Sequence, residues 1–375
     1  MDGTPPPRWE SAERLLCIRL DSLGDVLMMT PAIRALCEGS AGRQITLLTS
    51  PSGAAVARLV PEIDDVLIYE APWVKSTPSR ADSAFDRAMI GRLKAMRFDA
   101  AVIFTTFSQS PLPTALLCHL AEIPLRLAHC HENPYGLLTD WVPDPEPERE
   151  IRHEVRRQLD LVATIGARTD DEHLSLGSSG RAEDVVRRLL RERGIETSQA
   201  WAVLHPGSTA ASRRYPPELY ADATRRLVGN HGWQMVLTGS ESERDLAQQI
   251  SDGAGVPVHD VTGALDLAEL TALIASTPVL ITNNTGPSHI AAAVGTPVVC
   301  LYALTNPQHT PWLVPSRVLS YDVPCRWCYR SVCPEGHHAC LRQVPPVDIV
   351  RAALELAAQM QACPSSRHLS RRTCY

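Results

Sequence analysis

The sequence has almost no lysine and no long hydrophobic run. Lys75 and Lys94 are its only lysines, so arginine carries nearly all of the positive charge, and the net charge is −6. A balance of this sign argues against a nucleic-acid partner. The longest apolar stretch, residues 290–304, contains Gly295 and Pro297 and is too short to span a membrane. These absences predict a soluble protein with at most peripheral membrane contact.

The first 13 residues also lack the apolar segment that a secretory signal peptide requires. They are polar and rich in proline, so we predict a disordered leader over residues 1–13. Without an export signal, a cytoplasmic location is expected. The eleven cysteines are then expected to be thiols or metal ligands rather than disulfides.

The chain does contain a repeated alternation of short apolar runs and amphipathic helices. Its 375 residues are enough for two domains. The alternation predicts an α/β class with two doubly wound, Rossmann-like domains facing a central cleft. The predicted boundaries are 1–13 for the leader, 14–170 and 181–345 for the two domains, 346–362 for a C-terminal helix and 363–375 for the tail.

The clearest single unit is a strand, a polar turn and an alanine-rich helix within residues 279–302. Ligands of parallel sheets bind at the carboxyl ends of strands, and a helix N terminus offers free N–H groups to a phosphate. Thr285 and Ser288 add hydroxyl groups, and His289 adds a ring nitrogen. An ordinary capped turn explains the same residues equally well, with Asn284 or Thr285 as N-cap and His289 partly exposed.

A second glycine-containing loop follows the first predicted strand. Asp25 lies in this loop, at the head of a helix with apolar spacing over residues 26–36. Pro31, inside that helix, predicts either a kink or a short first turn that passes into the main helix. From its position alone, Asp25 is more simply an N-cap than a catalytic carboxylate.

Four cysteines lie within 16 residues near the C-terminal end, with two histidines among them: Cys325, Cys328, Cys333 and Cys340, with His337 and His338. Four thiols at such spacing can bind zinc or iron tetrahedrally, as a structural site. Free or redox-active thiols are the alternative, and both interpretations stay open at this stage.

Four motifs in order resemble the bacterial heptosyltransferases, glycosyltransferase family 9. They are 18–33, 205–220, 237–244 together with 261–263, and 283–293, and the likeness runs over about residues 14–355. The resemblance implies the GT-B arrangement, with an acceptor-side N-terminal domain and a C-terminal domain that binds the nucleotide sugar. It also implies transfer of heptose from ADP-heptose to a sugar acceptor, with inversion and without a required cofactor. If the acceptor is the lipopolysaccharide core, the enzyme would meet it at the inner face of the cytoplasmic membrane.

The resemblance also implies roles for particular residues. Asp25 falls on the family's catalytic base, which takes the acceptor's proton as attack occurs. Arg213 stands where the family usually has a lysine that contacts the donor phosphates, although a solvated loop is its simpler interpretation. Glu243 matches a carboxylate that accepts from the ribose hydroxyl groups, and helix N-terminal charge explains it equally well. The other predicted donor-binding residues are Ser208, Thr209, Asn284, Thr285, Gly286, Pro287 and His289.

No Asp-x-Asp motif of the kind that holds a catalytic metal occurs in the sequence. The negative charge of the departing ADP is therefore expected to meet helix N termini and cations. The chain departs from the family pattern at Asn284, where an aspartate is usual, and this change together with Arg213 adds positive charge to the donor site. The alternatives are another nucleotide sugar, a protein or small-molecule acceptor, and a non-catalytic nucleotide-binding relative.

Overall fold

The computed structural model describes residues 8–40, 42–75 and 77–362. The chain divides into two compact units, Met1–Ser175 and Leu176–Tyr375. The division falls within the polar segment 166–180, where apolar periodicity is missing. The predicted tail, 363–375, and the first part of the predicted leader, 1–7, lie outside the described residues.

The first unit is built on a six-stranded sheet in the order β3-β2-β1-β4-β5-β6, with every neighbouring pair parallel. This is the strand order of a doubly wound nucleotide-binding fold. The strands are β1 Arg14–Arg19, β2 Gln44–Thr49, β3 Asp65–Ile68, β4 Ala100–Ile103, β5 Leu125–Cys130 and β6 Asp140–Pro143. The helices are α1 Leu23–Met28, α2 Thr30–Glu38, α3 Pro51–Ala57, α4 Ala84–Met96, α5 Leu112–Leu120 and α6 Glu154–Ala163.

The second unit repeats this architecture in the order β12-β11-β10-β7-β8-β9, again with parallel neighbours. Its strands are β7 Trp201–His205, β8 Gln234–Leu237, β9 His259–Asp260, β10 Leu280–Asn283, β11 Val298–Leu301 and β12 Ser316–Leu319. Its helices are α7 Gly180–Glu192, α8 Pro217–His231, α9 Arg244–Ala254, α10 Leu267–Ser276, α11 Gly286–Val294, α12 Ala339–Arg342 and α13 Pro346–Ala362. The predicted α/β class with two doubly wound units is confirmed.

Four of the central strands are buried along their whole length because helices cover both faces of each sheet. All residues of β4, β7, β10 and β11 are buried. Buried parallel strands of this kind place their loops, and the polar side chains on them, at one edge of the sheet. None of the helices in the described ranges is long and apolar enough to cross a membrane.

Pro31 marks a break between two helices. α1 ends at Met28, Met29 adopts φ −94° and ψ −5°, and α2 begins at Thr30. Pro31 is thus in the first turn of α2, where its missing N–H is not needed. Of the two predicted alternatives, the short first turn followed by a main helix is the one observed.

The structure differs from the sequence-based expectation in the leader. Residues 9–11 form a 3-10 turn instead of a disordered leader, because the Trp9 side chain is buried and Arg43 donates to the carbonyl oxygens of Trp9 and Ala12. In the first unit, β6 ends with a proline. Pro143 is tolerated there because β6 is an edge strand and Pro143 is its last residue.

Candidate active site

Asp25 lies at the carboxyl end of β1, in the first turn of α1. One carboxylate oxygen, Oδ2, accepts from the Ser22 backbone N–H (3.0 Å) and from the Ser22 hydroxyl (2.6 Å). The other, Oδ1, is 3.2 Å from Nη2 of Arg19. The N-cap interpretation is wrong, since Ser22 is the N-cap and Asp25 is the third helical residue. These contacts fix the orientation of a side chain that remains 18% exposed.

Arg19, the last residue of β1, holds three carboxylates on one guanidinium group. Its side chain is fully buried, with Nε 2.8 Å from Asp21 Oδ2 and Nη1 2.7 Å from Glu154 Oε1, besides the contact with Asp25. Burial raises the pKa of Asp21; the Arg19 charge lowers it, but Asp25 raises it further, and the net direction is upward. This end of β1 is therefore an acidic site held together by a single buried cation.

Sequence reasoning missed the role of Arg19. Its partner Glu154 is 135 positions away in α6, and Gln158, one turn later, donates to the same carboxylate oxygen at 2.7 Å. No spacing rule connects a strand end to a helix in a distant part of the chain. The arginine directly before the Asp25 loop was the only available signal.

In the second unit, a pocket of about 360 Å³ opens where β7 and β8 end. It is lined by Ser208, Thr209, Arg214, Ser240, Ser242, Glu243 and Leu246. Three of the predicted donor-binding residues, Ser208, Thr209 and Glu243, thus share one pocket. The other lining residues were not predicted, although Ser240 and Ser242 belong to a motif that the family resemblance had singled out.

Glu243 occupies a position that only glycine neighbours permit. Its Oε2 accepts from the Ser240 backbone N–H (2.7 Å) and hydroxyl (2.9 Å). A Cβ atom on Gly207 would lie 1.7 Å from Oε1 of Glu243, and one on Gly239 would lie 3.0 Å from Oε2. The carboxylate is therefore packed against two glycine backbones at the rim of the pocket. Helix N-terminal charge and ribose binding both remain compatible with this placement.

Arg213 and Arg214 are adjacent in the sequence but have different surroundings. Arg214 lines the pocket, and its Nε donates to the Ser208 carbonyl oxygen at 2.7 Å. Arg213 is half-buried, and its Nε is buried without a hydrogen-bond partner. Burial raises the pKa of Cys300 to about 12 and also raises that of Tyr302, while the nearby Arg213 charge lowers both. The charge of Arg213 thus acts on two residues at the end of β11, and Arg213 is not among the residues that line the pocket.

Arg213 has no ion-pair partner in the part of the chain that the structure describes. A partly desolvated guanidinium without an anion is unfavourable, and one partner per buried cation is the usual arrangement. The buried Nε shows that this side chain is only partly solvated, and the solvated-loop interpretation stays open. An anionic ligand would complete the arrangement.

The N terminus of α11 carries the remaining predicted residues. Thr285 is the N-cap, as one of the two predicted alternatives had it, but its side chain does not cap the helix, and Gly286 and Pro287 follow as the first two residues. Pro287 has no N–H, and the Ser288 N–H donates to the Thr285 carbonyl oxygen at 3.0 Å, so within the described first turn it is the Gly286 N–H that is left for an anion. His289 is buried, not partly exposed as the capped-turn interpretation required.

The two asparagines before α11 have different functions. Asn283 is fully buried; its Oδ1 accepts from the Tyr215 N–H (3.1 Å) and the Tyr220 hydroxyl (2.9 Å), and its Nδ2 donates to the Pro206 carbonyl (2.6 Å). Asn284 is also buried, and its Nδ2 donates to the Thr305 hydroxyl at 3.3 Å. Asn283 therefore fixes the local backbone, whereas Asn284 belongs to a polar group that follows β11.

The cysteine segment, residues 325–340, contacts the turn that carries Arg213. Ser212 donates its hydroxyl to the Arg330 carbonyl (2.6 Å), and His338 Nε2 donates to the Ser212 carbonyl (2.8 Å). The Tyr329 N–H donates to the Leu304 carbonyl (2.9 Å). This segment thus supports the Arg213 turn and the chain that follows β11.

The four cysteines of this segment are half-buried free thiols. Burial raises the pKa of Cys340 to about 11, and the three other thiols of the segment add to the rise. Cys325 Sγ is 3.9 Å from Nε2 of His337. Within residues 8–40, 42–75 and 77–362, however, no three His, Cys, Asp or Glu side chains are grouped so that they could hold a metal ion. The metal site stays a prediction from the sequence.

Comparison with known proteins assigns the chain to a family. The model of glycosyltransferase family 9 (heptosyltransferase) matches residues 87–339. Lipopolysaccharide heptosyltransferase 2 of Escherichia coli is 27% identical over 74% of this chain and 81% of its own.

Two solved structures from Escherichia coli share the fold. The ADP-heptose lipopolysaccharide heptosyltransferase II superposes with a TM-score of 0.71 at 22% identity, over 93% of this chain and 99% of its own. Heptosyltransferase WaaC with ADP superposes with a TM-score of 0.64 at 18% identity, over 92% and 99% of the two chains. The predicted GT-B fold class is confirmed by these similarities. The chain is a glycosyltransferase and belongs to glycosyltransferase family 9, the heptosyltransferases.

Proposed function

We propose that the protein transfers heptose from ADP-heptose to a sugar of the lipopolysaccharide core, with inversion at the anomeric carbon. The observation that carries the proposal is the unpaired, half-buried Arg213, which lies in the same unit as the uncapped N terminus of α11 and the pocket at β7 and β8. A cation and a helix N terminus at one sheet edge form an anion site, and the adjoining pocket has room for a nucleoside. The names of the relatives supply the donor and acceptor classes.

The chemistry assigned to Asp25 is that of a general base. The acceptor hydroxyl oxygen attacks the anomeric carbon, the bond from that carbon to the diphosphate oxygen breaks, and the hydroxyl proton passes to Asp25. Contacts with Ser22 and Arg19 orient the carboxylate for this transfer. The negative charge that develops on the leaving ADP is balanced by Arg213 and by the N terminus of α11, where the Gly286 N–H is uncapped.

Calorimetric titration of the purified protein tests the donor assignment. We expect ADP to bind at least about tenfold more tightly than UDP or GDP, since one base-specific hydrogen bond contributes roughly that factor. ADP-heptose should bind more tightly than ADP. Preference for UDP or GDP would reassign the donor within the same fold, and failure to bind any of them would favour a non-catalytic relative.

Substitution of Gly207 by alanine tests the role of Glu243. The new Cβ would overlap Oε1 of Glu243, so the carboxylate must leave its place against the glycine backbone. If Glu243 accepts from the ribose hydroxyl groups, ADP affinity should fall by about tenfold or more. Gly229→Ala is the matched control, because nothing lies within 4 Å of a Cβ at that position. Unchanged ADP binding in Gly207→Ala would leave Glu243 only its role in helix capping.

The proposal includes catalysis without a metal. Arg213 and the α11 N terminus supply the positive charge that an Asp-x-Asp-bound cation would otherwise provide. Turnover should therefore stay within about twofold when excess EDTA is added, a change of less than about 0.5 kcal/mol in the activation free energy. Any zinc or iron at the cysteine segment would be structural. Loss of turnover that added Mg²⁺ or Mn²⁺ restores would contradict this prediction.

The proposed acceptor also implies where in the cell the protein acts. A glycolipid acceptor would be met in the cytoplasm, at the inner face of the cytoplasmic membrane, through peripheral contact. Cell fractionation at low and high salt would test this: a protein that leaves the membrane fraction at high salt agrees with peripheral contact. A protein found outside the cytoplasm would contradict it.

A further inference from the structure

A second carboxylate lies beside Asp25 at the end of β1. Asp21 comes two residues after Arg19, and its side chain is 17% exposed. Both carboxylates contact the same guanidinium group: Oδ2 of Asp21 is 2.8 Å from Nε of Arg19, and Oδ1 of Asp25 is 3.2 Å from Nη2. The proposed mechanism uses Asp25 and leaves Asp21 without a task.

Gln109, in the loop between β4 and α5, is another partner of Asp21. Its Nε2 donates to Oδ1 of Asp21 at 2.6 Å, and its Oε1 accepts from the Thr106 backbone N–H at 3.1 Å. Because a backbone N–H can only donate, the Thr106 contact fixes which end of the amide is the oxygen, and the N–H₂ end must face Asp21. β1 and β4 are neighbours in the sheet, so Gln109 ties two adjacent loops together.

Both side-chain oxygens of Asp21 therefore face groups that donate. Oδ2 faces Arg19 and Oδ1 faces Gln109, and a protonated Asp21 would have to turn its hydroxyl towards one of these donors and lose that contact. Burial raises the pKa of Asp21 above its ordinary value, while the Arg19 charge and the Gln109 hydrogen bond limit the rise. The contacts thus favour the ionised form at a place where burial opposes it.

An ionised Asp21 acts on Asp25 across the cation that they share. The charged groups that act on Asp21 are Arg19 of β1, Asp25 of α1 and Glu154 of α6. The loop after β2 adds only the neutral Ser50, whose hydroxyl donates to the Asp21 carbonyl oxygen. Asp25 raises the pKa of Asp21, and the repulsion between two charges is mutual. The Asp21 charge therefore favours a proton on Asp25, and a general base gains strength from such a neighbour.

We infer that Asp21 and Gln109 are positioning residues for sugar transfer: Gln109 holds Asp21 ionised against Arg19, and the Asp21 charge makes Asp25 a stronger base. This inference rests on the proposed function, in which Asp25 takes the proton of the acceptor hydroxyl, and adds the two groups that set the strength of that base. Neither of them takes the proton itself. Gln109 also makes the strength of the base depend on the loop that follows β4.

Asp21→Asn tests the effect of the neighbouring charge. The reaction is single-turnover transfer from ADP-heptose to a lipopolysaccharide-core acceptor, measured as a function of pH. Since the variant lacks the charge that favours a proton on Asp25, the acidic limb of the rate profile should move about one unit to lower pH. The rate on the plateau should fall roughly threefold, because the base is weaker.

Gln109→Glu tests the hydrogen bond to Asp21. Glutamate has nearly the same shape and keeps an oxygen for the Thr106 N–H, but it presents an acceptor to Asp21 in place of a donor. Asp21 should then take up a proton at higher pH, and the acidic limb should move about one unit to higher pH. The two variants are thus expected to shift the limb in opposite directions. Loss of loop order alone would lower the rate without moving the limb.

Gln248→Glu is the matched control, since Gln248 also donates to an aspartate, Asp252, but at an exposed position in α9. It should leave the profile unchanged. A wild type that transfers heptose, with limbs in both variants that stay at the wild-type pH or shift in the same direction, would overturn the inference and leave the proposed function intact. A wild type that transfers no sugar would overturn the proposed function, and the inference with it. Thermal unfolding at each pH identifies a variant that does not fold, and the other variant then decides.

Discussion

Asp25→Asn should lower the turnover number by about 10³-fold, within the range that a positioned general base contributes. Asparagine has nearly the shape of aspartate, so Ser22 can still donate to it and the first turn of α1 is retained. It cannot take up the acceptor's proton at neutral pH. ADP affinity should therefore be unchanged, and single-turnover kinetics should place the whole loss in the chemical step.

The control for Asp25 is Asp184→Asn, which removes an exposed carboxylate whose ion pair, among the described residues, is with Arg187 of α7. It should retain wild-type turnover. An Asp25→Asn protein that folds normally and works within about tenfold of the wild type would mean that another group takes the proton. Determination of the anomeric configuration of the product would test the inversion that this mechanism requires.

Arg19→Met should reduce the free energy of unfolding at pH 7 by about 3–5 kcal/mol, the usual effect of breaking a buried ion pair from one side. Methionine fills part of the space but leaves Asp21, Asp25 and Glu154 without the cation that holds them. Urea unfolding followed by circular dichroism would measure the change. Arg187→Met, which breaks only an exposed ion pair, should reduce the free energy of unfolding by less than about 1 kcal/mol.

The loss in Arg19→Met should depend on pH. The pKa of Asp21 is already raised in the folded wild type, and removal of the cation raises it further. A carboxyl group whose folded pKa lies above its unfolded value stabilises the fold below the unfolded pKa, and that stability is lost as pH rises through the folded pKa. The variant should therefore recover stability relative to the wild type as the pH falls from 7 towards 4. A pH-independent difference would show that lost packing, and not charge, explains the effect.

Much of the fold could be predicted from the sequence because local signals recur at every βα step. Apolar runs mark the central strands, and Pro31 indicates where α1 passes into α2. β5 gave a weaker signal, since the fully buried strand contains Arg126 and His129. Arg126 is accommodated because its guanidinium donates to the carbonyl oxygens of Leu137, Ile123 and Gly136. The pattern of apolar residues in a sequence does not reveal tertiary partners of that kind.

The candidate site was predictable only where it lies in one local motif. The α11 turn follows from the strand, glycine and helix pattern, and Asp25 was identified through family resemblance. The contacts that organise both regions are long-range: Arg19 with Glu154, and Asn284 with Thr305. The distinction between Arg213 and Arg214 also required coordinates, because adjacent residues on a short turn point to different strand ends.

Asn283 links three segments of the proposed donor site to one another: the turn before Tyr215, the loop after Pro206 and the start of α11. Its one amide group bonds to the N–H of Tyr215, two residues after Arg213, and to the Pro206 carbonyl that precedes the Ser208 loop, while its own backbone leads into α11. The distance between the Arg213 turn and the helix N terminus is thus set when the protein folds, not when a ligand arrives. The protein therefore cannot accommodate a ligand with a different distance between its anionic groups by moving one loop alone. If the proposed diphosphate binds here, selectivity for its length is a property of the core.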